Sequence, residues 1–124
     1  MRGSQFVILC VDDDPDTLDV LKLVLEANAY AFVGASSAEE GLKAYRASKP
    51  DLVMVDLMME EVDAGTSLVK ELRALGCSVP VYMLSSVGDQ MARNLDTAAL
   101  GLAGVFQKPI ASPLLLATLK ARLG

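Results

Sequence analysis

Two short apolar runs in this chain each stop on aspartate. Phe6–Val11 runs directly into Asp12-Asp13-Asp14, and Leu52–Val55 ends on Asp56. Both runs are rich in β-branched residues and neither alternates with polar ones, which is the pattern of strands buried on both faces. Helical signals fall between the runs. Asp14-Pro15 reads as an N-cap followed by a first helical position, and Leu18, Leu21 and Leu25 then share one face of a helix reaching about Asn28. Ala31–Ala35 is a short second strand. Ser37 and Glu40 have the spacing of a capping box that opens a helix through Ser48, which Pro50 stops. After Asp56, residues 57–65 read as a loop and Thr66–Leu75 as a helix, with Gly76 suited to its C′ position. Val79–Leu84, Gly88–Leu100, Gly104–Phe106 and a helix capped at Ser112-Pro113 complete five strand–helix units. Such alternation implies an α/β fold with a parallel sheet covered on both faces and right-handed crossovers. Ligands in such sheets bind beyond the carboxyl ends of the strands.

Composition narrows the function. With 124 residues the chain fits one domain, enough to bury about two-thirds of its unfolded surface. A net charge of -5 argues against nucleic acid as a partner, which needs clustered Lys and Arg. No apolar run approaches the roughly 20 residues of a membrane span. Histidine is absent, which removes His-based catalysis, His-ligated zinc and phosphohistidine on this chain. Cys10 and Cys77 lack metal-site spacing and read as buried free thiols, consistent with a reducing, cytoplasmic location. Met1–Ser4 resembles the start of some expression-vector leaders and is set apart, as a leader or tag remnant, from a single domain over 5–124.

The chemistry lies at the strand ends: Asp12, Asp13 and Asp14 after the first strand, Asp56 after the third, Ser85 and Ser86 after the fourth, Lys108 after the fifth. With the first and third strands adjacent, their carboxylates converge and repel. A hard divalent cation, Mg²⁺ with Mn²⁺ as the alternative, relieves that repulsion and shares its shell with phosphate. Lys108 is a point-charge phosphate binder, and Ser85 offers a hydroxyl donor. Phosphoryl transfer is mostly positioning and charge neutralisation, and an aspartate can serve as its nucleophile.

Four segments carry a family resemblance: Ile8–Asp14, Pro50–Met59, Val79–Ser86 and Phe106–Ile110. From Phe6 to its end, the chain resembles the receiver domain of two-component response regulators. The resemblance implies a flavodoxin-like (βα)5 three-layer sandwich with strand order 2-1-3-4-5. It implies that Asp56 accepts a phosphoryl group from a sensor histidine kinase or phosphotransfer protein and that the domain signals by conformational change. It also implies that Asp13 ligates the metal with Asp56, that Asp12 acts largely through water, that the Met58 carbonyl completes the protein ligands, and that Ser85 and Lys108 contact the phosphoryl oxygens. A cis Lys108–Pro109 bond is a further implication. On this reading the domain is a phospho-acceptor rather than an enzyme in the ordinary sense.

Three departures from the family pattern stand out. Glu60 and Ala64 stand in the loop after Asp56 where Pro and Gly are usual. Val105 stands where the family carries a Tyr or Phe that moves on phosphorylation; Phe106 is one step along and so on the other face. Met58 and Val87 are apolar and flank the path of a hydrolytic water, so a slowly hydrolysed phosphoryl group is expected. Two alternatives stay open. One is a degenerate receiver that acts only as an interaction module. The other is a haloacid-dehalogenase-type phosphatase, since residues 14–18 read Asp-Pro-Asp-Thr-Leu. Its nucleophile should directly end a strand, however, and here Asp12 holds that place.

Overall fold

The computed structural model describes residues 5–57, 64–86 and 101–123. The expected helix over 88–100, and Met58, Glu60 and Val87, lie outside the described residues. Five strands, β1 (Val7–Val11), β2 (Ala31–Ala35), β3 (Leu52–Asp56), β4 (Val81–Ser85) and β5 (Gly104–Gln107), form one parallel sheet of order β2-β1-β3-β4-β5. The helices are α1 (Pro15–Ala27), α2 (Ala38–Ser48), α3 (Ala64–Ala74) and α4 (Ser112–Leu123).

Burial follows strand position. β1, β3 and β4 are buried at every residue, whereas β2 and β5, the two edges, are only partly so. The sheet separates two cores. Leu9, Val11, Val53, Val55 and Met83 face α2 and α3, packing on Leu68, Val69 and Leu72. Ile8, Cys10, Met54, Tyr82 and Leu84 face the other way, onto Leu21 and Leu25 of α1 and Leu115 and Leu119 of α4. Each strand supplies both layers because its side chains alternate.

Local chemistry sets the element ends. Asp14 caps α1, its carboxylate accepting from the Asp16 N–H. The Ser37 hydroxyl accepts from the Glu40 N–H at 3.1 Å, as the capping-box spacing predicts. The Glu40 carboxylate reaches one residue further out and accepts from both the N–H and the hydroxyl of Ser36. α3 closes in a Schellman turn: Cys77 N–H donates to Leu72 O, and Gly76 N–H, at φ +87°, donates to Arg73 O.

Several sequence-derived boundaries shift. α3 begins at Ala64 rather than Thr66. α4 begins at Ser112 itself, the Ala111 carbonyl taking the first bond from Leu115 N–H, so Ser112 is in the helix rather than its cap. β4 begins at Val81 rather than Val79 because its approach is otherwise engaged: the Arg73 guanidinium holds the Val79 carbonyl at 3.3 Å, and Pro80 has no N–H. β4 then runs on to Ser85, whose carbonyl accepts from Lys108 N–H.

The packing of α2 depends on Gly41. A Cβ built there would stand 2.9 Å from Val11 Cγ2 and 3.1 Å from Leu68 Cδ2, both buried core side chains. Gly41→Val is expected to lower stability by about 1–3 kcal/mol through overpacking, read as a lower urea midpoint at unchanged slope.

Candidate functional site

The carboxyl edge of the sheet is built by short-range bonds. Asp12 N–H donates to the Ala35 carbonyl at 3.0 Å, carrying the β1–β2 ladder one residue past the strand. Asp12 Oδ1 accepts from Asp14 N–H at 2.9 Å, an Asx turn that swings the chain into α1. Asp13 sits at the apex of that turn and is exposed, while Asp12 is fully buried. Asp14 is occupied by capping: besides Asp16 N–H it accepts from the Thr17 hydroxyl at 3.2 Å. It lies at a helix start and not at a strand end, so the dehalogenase-type reading loses its nucleophile.

Asp56 is the last residue of β3 and is buried. Leu57 N–H donates to Leu84 O at 2.8 Å, so the chain beyond Asp56 stays fastened to β4. With β1 beside β3, Asp12, Asp13 and Asp56 each place a carboxylate oxygen within 4.8 Å of the others. The expected trio does converge.

Lys108 closes the cluster. Its Nζ lies 2.6 Å from Asp12 Oδ2 and 3.4 Å from Asp56 Oδ2. Its own N–H donates to Ser85 O at 2.7 Å, and Lys108–Pro109 is cis. Burial alone would push the ammonium's pKa down; the hydrogen bond and charge of Asp12, then Asp56, outweigh that and raise it. The shorter contact, to Asp12 rather than Asp56, has no sequence signal, because both carboxylates end strands. Asp12 Oδ2 is buried, and its close partner is the Lys108 ammonium. Three carboxylates sharing one ammonium form a hard, anionic oxygen set, the donor chemistry that suits Mg²⁺.

Ser85 ends β4 and is buried, whereas Ser86 is exposed. The Ser85 hydroxyl donates to Ser86 O at a long 3.4 Å. Met58 lies outside the described residues. Cys10, below Asp12 on β1, is a buried thiol whose pKa is pushed up by burial and then by the Asp12 charge, and Cys77 is buried and free as well. Beside the cluster runs a groove of about 200 Å³ between α1 and the Lys108–Ser112 turn, lined by Val20, Val24, Pro109 and Ile110 among others. The sequence did not signal it, since Val20 and Val24 fall off the Leu18-Leu21-Leu25 face.

The sequence model of the family described as response regulator receiver domain matches residues 8–120. The chain is 33% identical over 116 residues to the alkaline phosphatase synthesis transcriptional regulatory protein PhoP of Bacillus subtilis, covering 94% of this chain and 48% of that protein. It is 38% identical over 106 residues to the transcriptional regulatory protein GlrR of Escherichia coli, covering 83% and 23%. The chain thus spans about half or less of the length of these relatives. Among solved structures, a CheY-like response regulator receiver domain protein from Methanospirillum hungatei matches with a TM-score of 0.86 at 27% identity, covering 97% of this chain and 94% of that one. The receiver domain of NtrX from Brucella abortus matches with a TM-score of 0.83 at 25% identity, covering 94% and 97%.

The raised pKa of Lys108 fixes a pH dependence. A lysine held charged by folding stabilises fully below its unfolded value of about 10.4, and that contribution is lost as pH climbs through the raised folded value. In the absence of divalent metal, Lys108→Met is expected to lower stability at neutral pH by roughly 1–3 kcal/mol. Urea midpoints measured across pH are expected to fall less steeply above about pH 10.4 than in the parent protein.

Proposed function

The chain belongs to the response regulator receiver domain family, and on that premise we propose that Asp56 accepts a phosphoryl group in a pocket shared with Asp12, Asp13, Ser85 and Lys108. The observation that carries this reading is the convergence of three carboxylates within 4.8 Å with Lys108 Nζ 3.4 Å from Asp56. Receiver domains of response regulators take part in two-component signalling with histidine kinases, so the donor here is a phosphohistidine on such a kinase or on a phosphotransfer protein.

In the step itself an Asp56 carboxylate oxygen forms a bond to phosphorus as the donor's N–P bond breaks. The electron pair returns to the imidazole nitrogen, which is protonated from solvent, and Asp56 becomes an acyl phosphate. Lys108 neutralises charge on the transferred oxygens, replacing part of its present contact with Asp12. The loosely held Ser85 hydroxyl turns to donate to another phosphoryl oxygen. Asp12, Asp13 and Asp56, with the Met58 carbonyl as the resemblance implies, would hold Mg²⁺, and the ion would supply charge neutralisation. The domain spans 5–124, with residues 1–4 outside it. No described helix is long and apolar enough to cross a membrane, and we place the domain in the cytoplasm, with the kinase.

The degenerate-receiver reading is disfavoured by the completeness of the cluster, and a small-molecule phosphodonor decides between the two. With Mg²⁺ present, intact-mass spectrometry is expected to show one added phosphoryl group on the parent protein. None is expected with chelator or on Asp56→Asn. An unmodified parent protein would favour the degenerate reading, and a modified Asp56→Asn would move the acceptor elsewhere.

A further inference from the structure

We propose that the hydrogen bond between Tyr82 and Arg122 is a resting-state latch, which fastens the end of α4 to β4 and is released when Asp56 is phosphorylated. The proposal rests on the phospho-acceptor reading and extends it from the site to the last helix.

Four residues from three elements build the latch. Tyr82 is the second residue of β4, 5% exposed, and faces the α1–α4 core. Arg122 Nε, near the end of α4, donates to the Tyr82 hydroxyl at 2.9 Å. The cross-strand partner of Tyr82 is Gly104, where a Cβ would come within 2.9 Å of Tyr82 Cε1; the missing side chain leaves room for the ring to reach α4. Phe106, two residues along β5, packs on that ring with centroids 5.0 Å apart and planes at 33°.

The rings and the two phosphate contacts ride on the same pair of strands. Phe106 lies two residues before Lys108, and Tyr82 lies three before Ser85, about 10 Å along the strand. Lys108 N–H ties the strands together at that end by its 2.7 Å bond to Ser85 O. β5 is a four-residue edge with a strand neighbour on one side only, so it yields before β1 or β3 does. When Lys108 leaves Asp12 for a phosphoryl oxygen, β5 shifts and Phe106 shifts with it. The buried ring against it must repack, and the Tyr82 hydroxyl moves off Arg122. Val105, on the opposite face of β5, is 41% exposed, so its displacement disturbs little. Arg122 is exposed, so water offsets part of its lost bond and leaves the net worth of an ordinary hydrogen bond.

A latch present only at rest opposes phosphorylation, and linkage makes its removal favour the phosphorylated state. The probe is beryllofluoride with Mg²⁺, and adduct formation at Asp56 is read by fluorine NMR, separately from the α4 response. Tyr82→Phe, which keeps the ring, and Arg122→Gln are each expected to tighten beryllofluoride binding by about two- to tenfold, the worth of one ordinary hydrogen bond. The double variant is expected to add nothing further, since both remove the same bond. In the free variants, the amide signals of residues 119–123 are expected to lie nearer the positions of the parent adduct. Unchanged affinity with a lowered melting temperature would reduce the bond to a structural brace and overturn the proposal. So would an adduct on the parent protein that leaves residues 119–123 unmoved. Absence of any adduct on the parent would instead overturn the phospho-acceptor reading on which the latch rests.

Discussion

Repulsion between carboxylates at the end of a sheet is the constraint around which this molecule is organised. Placing β1 beside β3 brings Asp12, Asp13 and Asp56 within 4.8 Å of one another, an arrangement that opposes folding unless positive charge is supplied. Lys108 supplies one unit from the far side of the sheet, after β5. That single cation is shared among three carboxylates, and the proposed divalent ion would supply the remaining positive charge. The Asx turn at Asp12 and the Asp12 N–H to Ala35 O bond hold the cluster's geometry without side chains from elsewhere.

Much of this was legible in the sequence because the signals are local. Continuous apolar strands, a capping Asp14, a capping Ser37 and a C′ Gly76 each act within a few residues, and they placed the described elements to within two residues. The site residues were legible for a topological reason: a parallel sheet puts every strand's carboxyl end on one edge, so knowing which residue ends each strand is nearly enough. What stayed hidden depends on contacts distant in sequence. That Lys108 approaches Asp12 more closely than Asp56, that Glu40 bonds Ser36, and that the approach to β4 is taken up by Arg73 are all choices among partners of equal chemical merit. The start of α4 was misplaced for a related reason, since a serine before proline suits either the cap or the first turn.

The two halves of the sheet do different work. β1 and β3 are central, buried on both faces, and on the proposed reading carry the nucleophile and the acidic pair. β4 and β5 lie toward one edge and carry the groups suited to the phosphoryl oxygens, Ser85 and Lys108. Chemistry benefits from a nucleophile and a metal site that do not move. Signalling benefits from phosphate contacts that do, because a ligand can shift an equilibrium only through groups whose contacts differ between the two states.

The one-residue step from Val105 to Phe106 gives that division a direction. On a strand of four residues, a ring at one position faces α3's side of the sheet and a ring at the next faces α1 and α4. In this chain the ring is Phe106, and the solvent-facing place holds a valine. On the proposed latch, motion of β5 displaces the tyrosine that packs at a tilt against Phe106 beneath the strand. The tyrosine's hydroxyl is in turn bound to Arg122 of α4. The aromatic mass that could report the state of the pocket has thus been placed inside the sheet–helix layer, where small shifts are converted into repacking because close-packed interiors do not deform continuously.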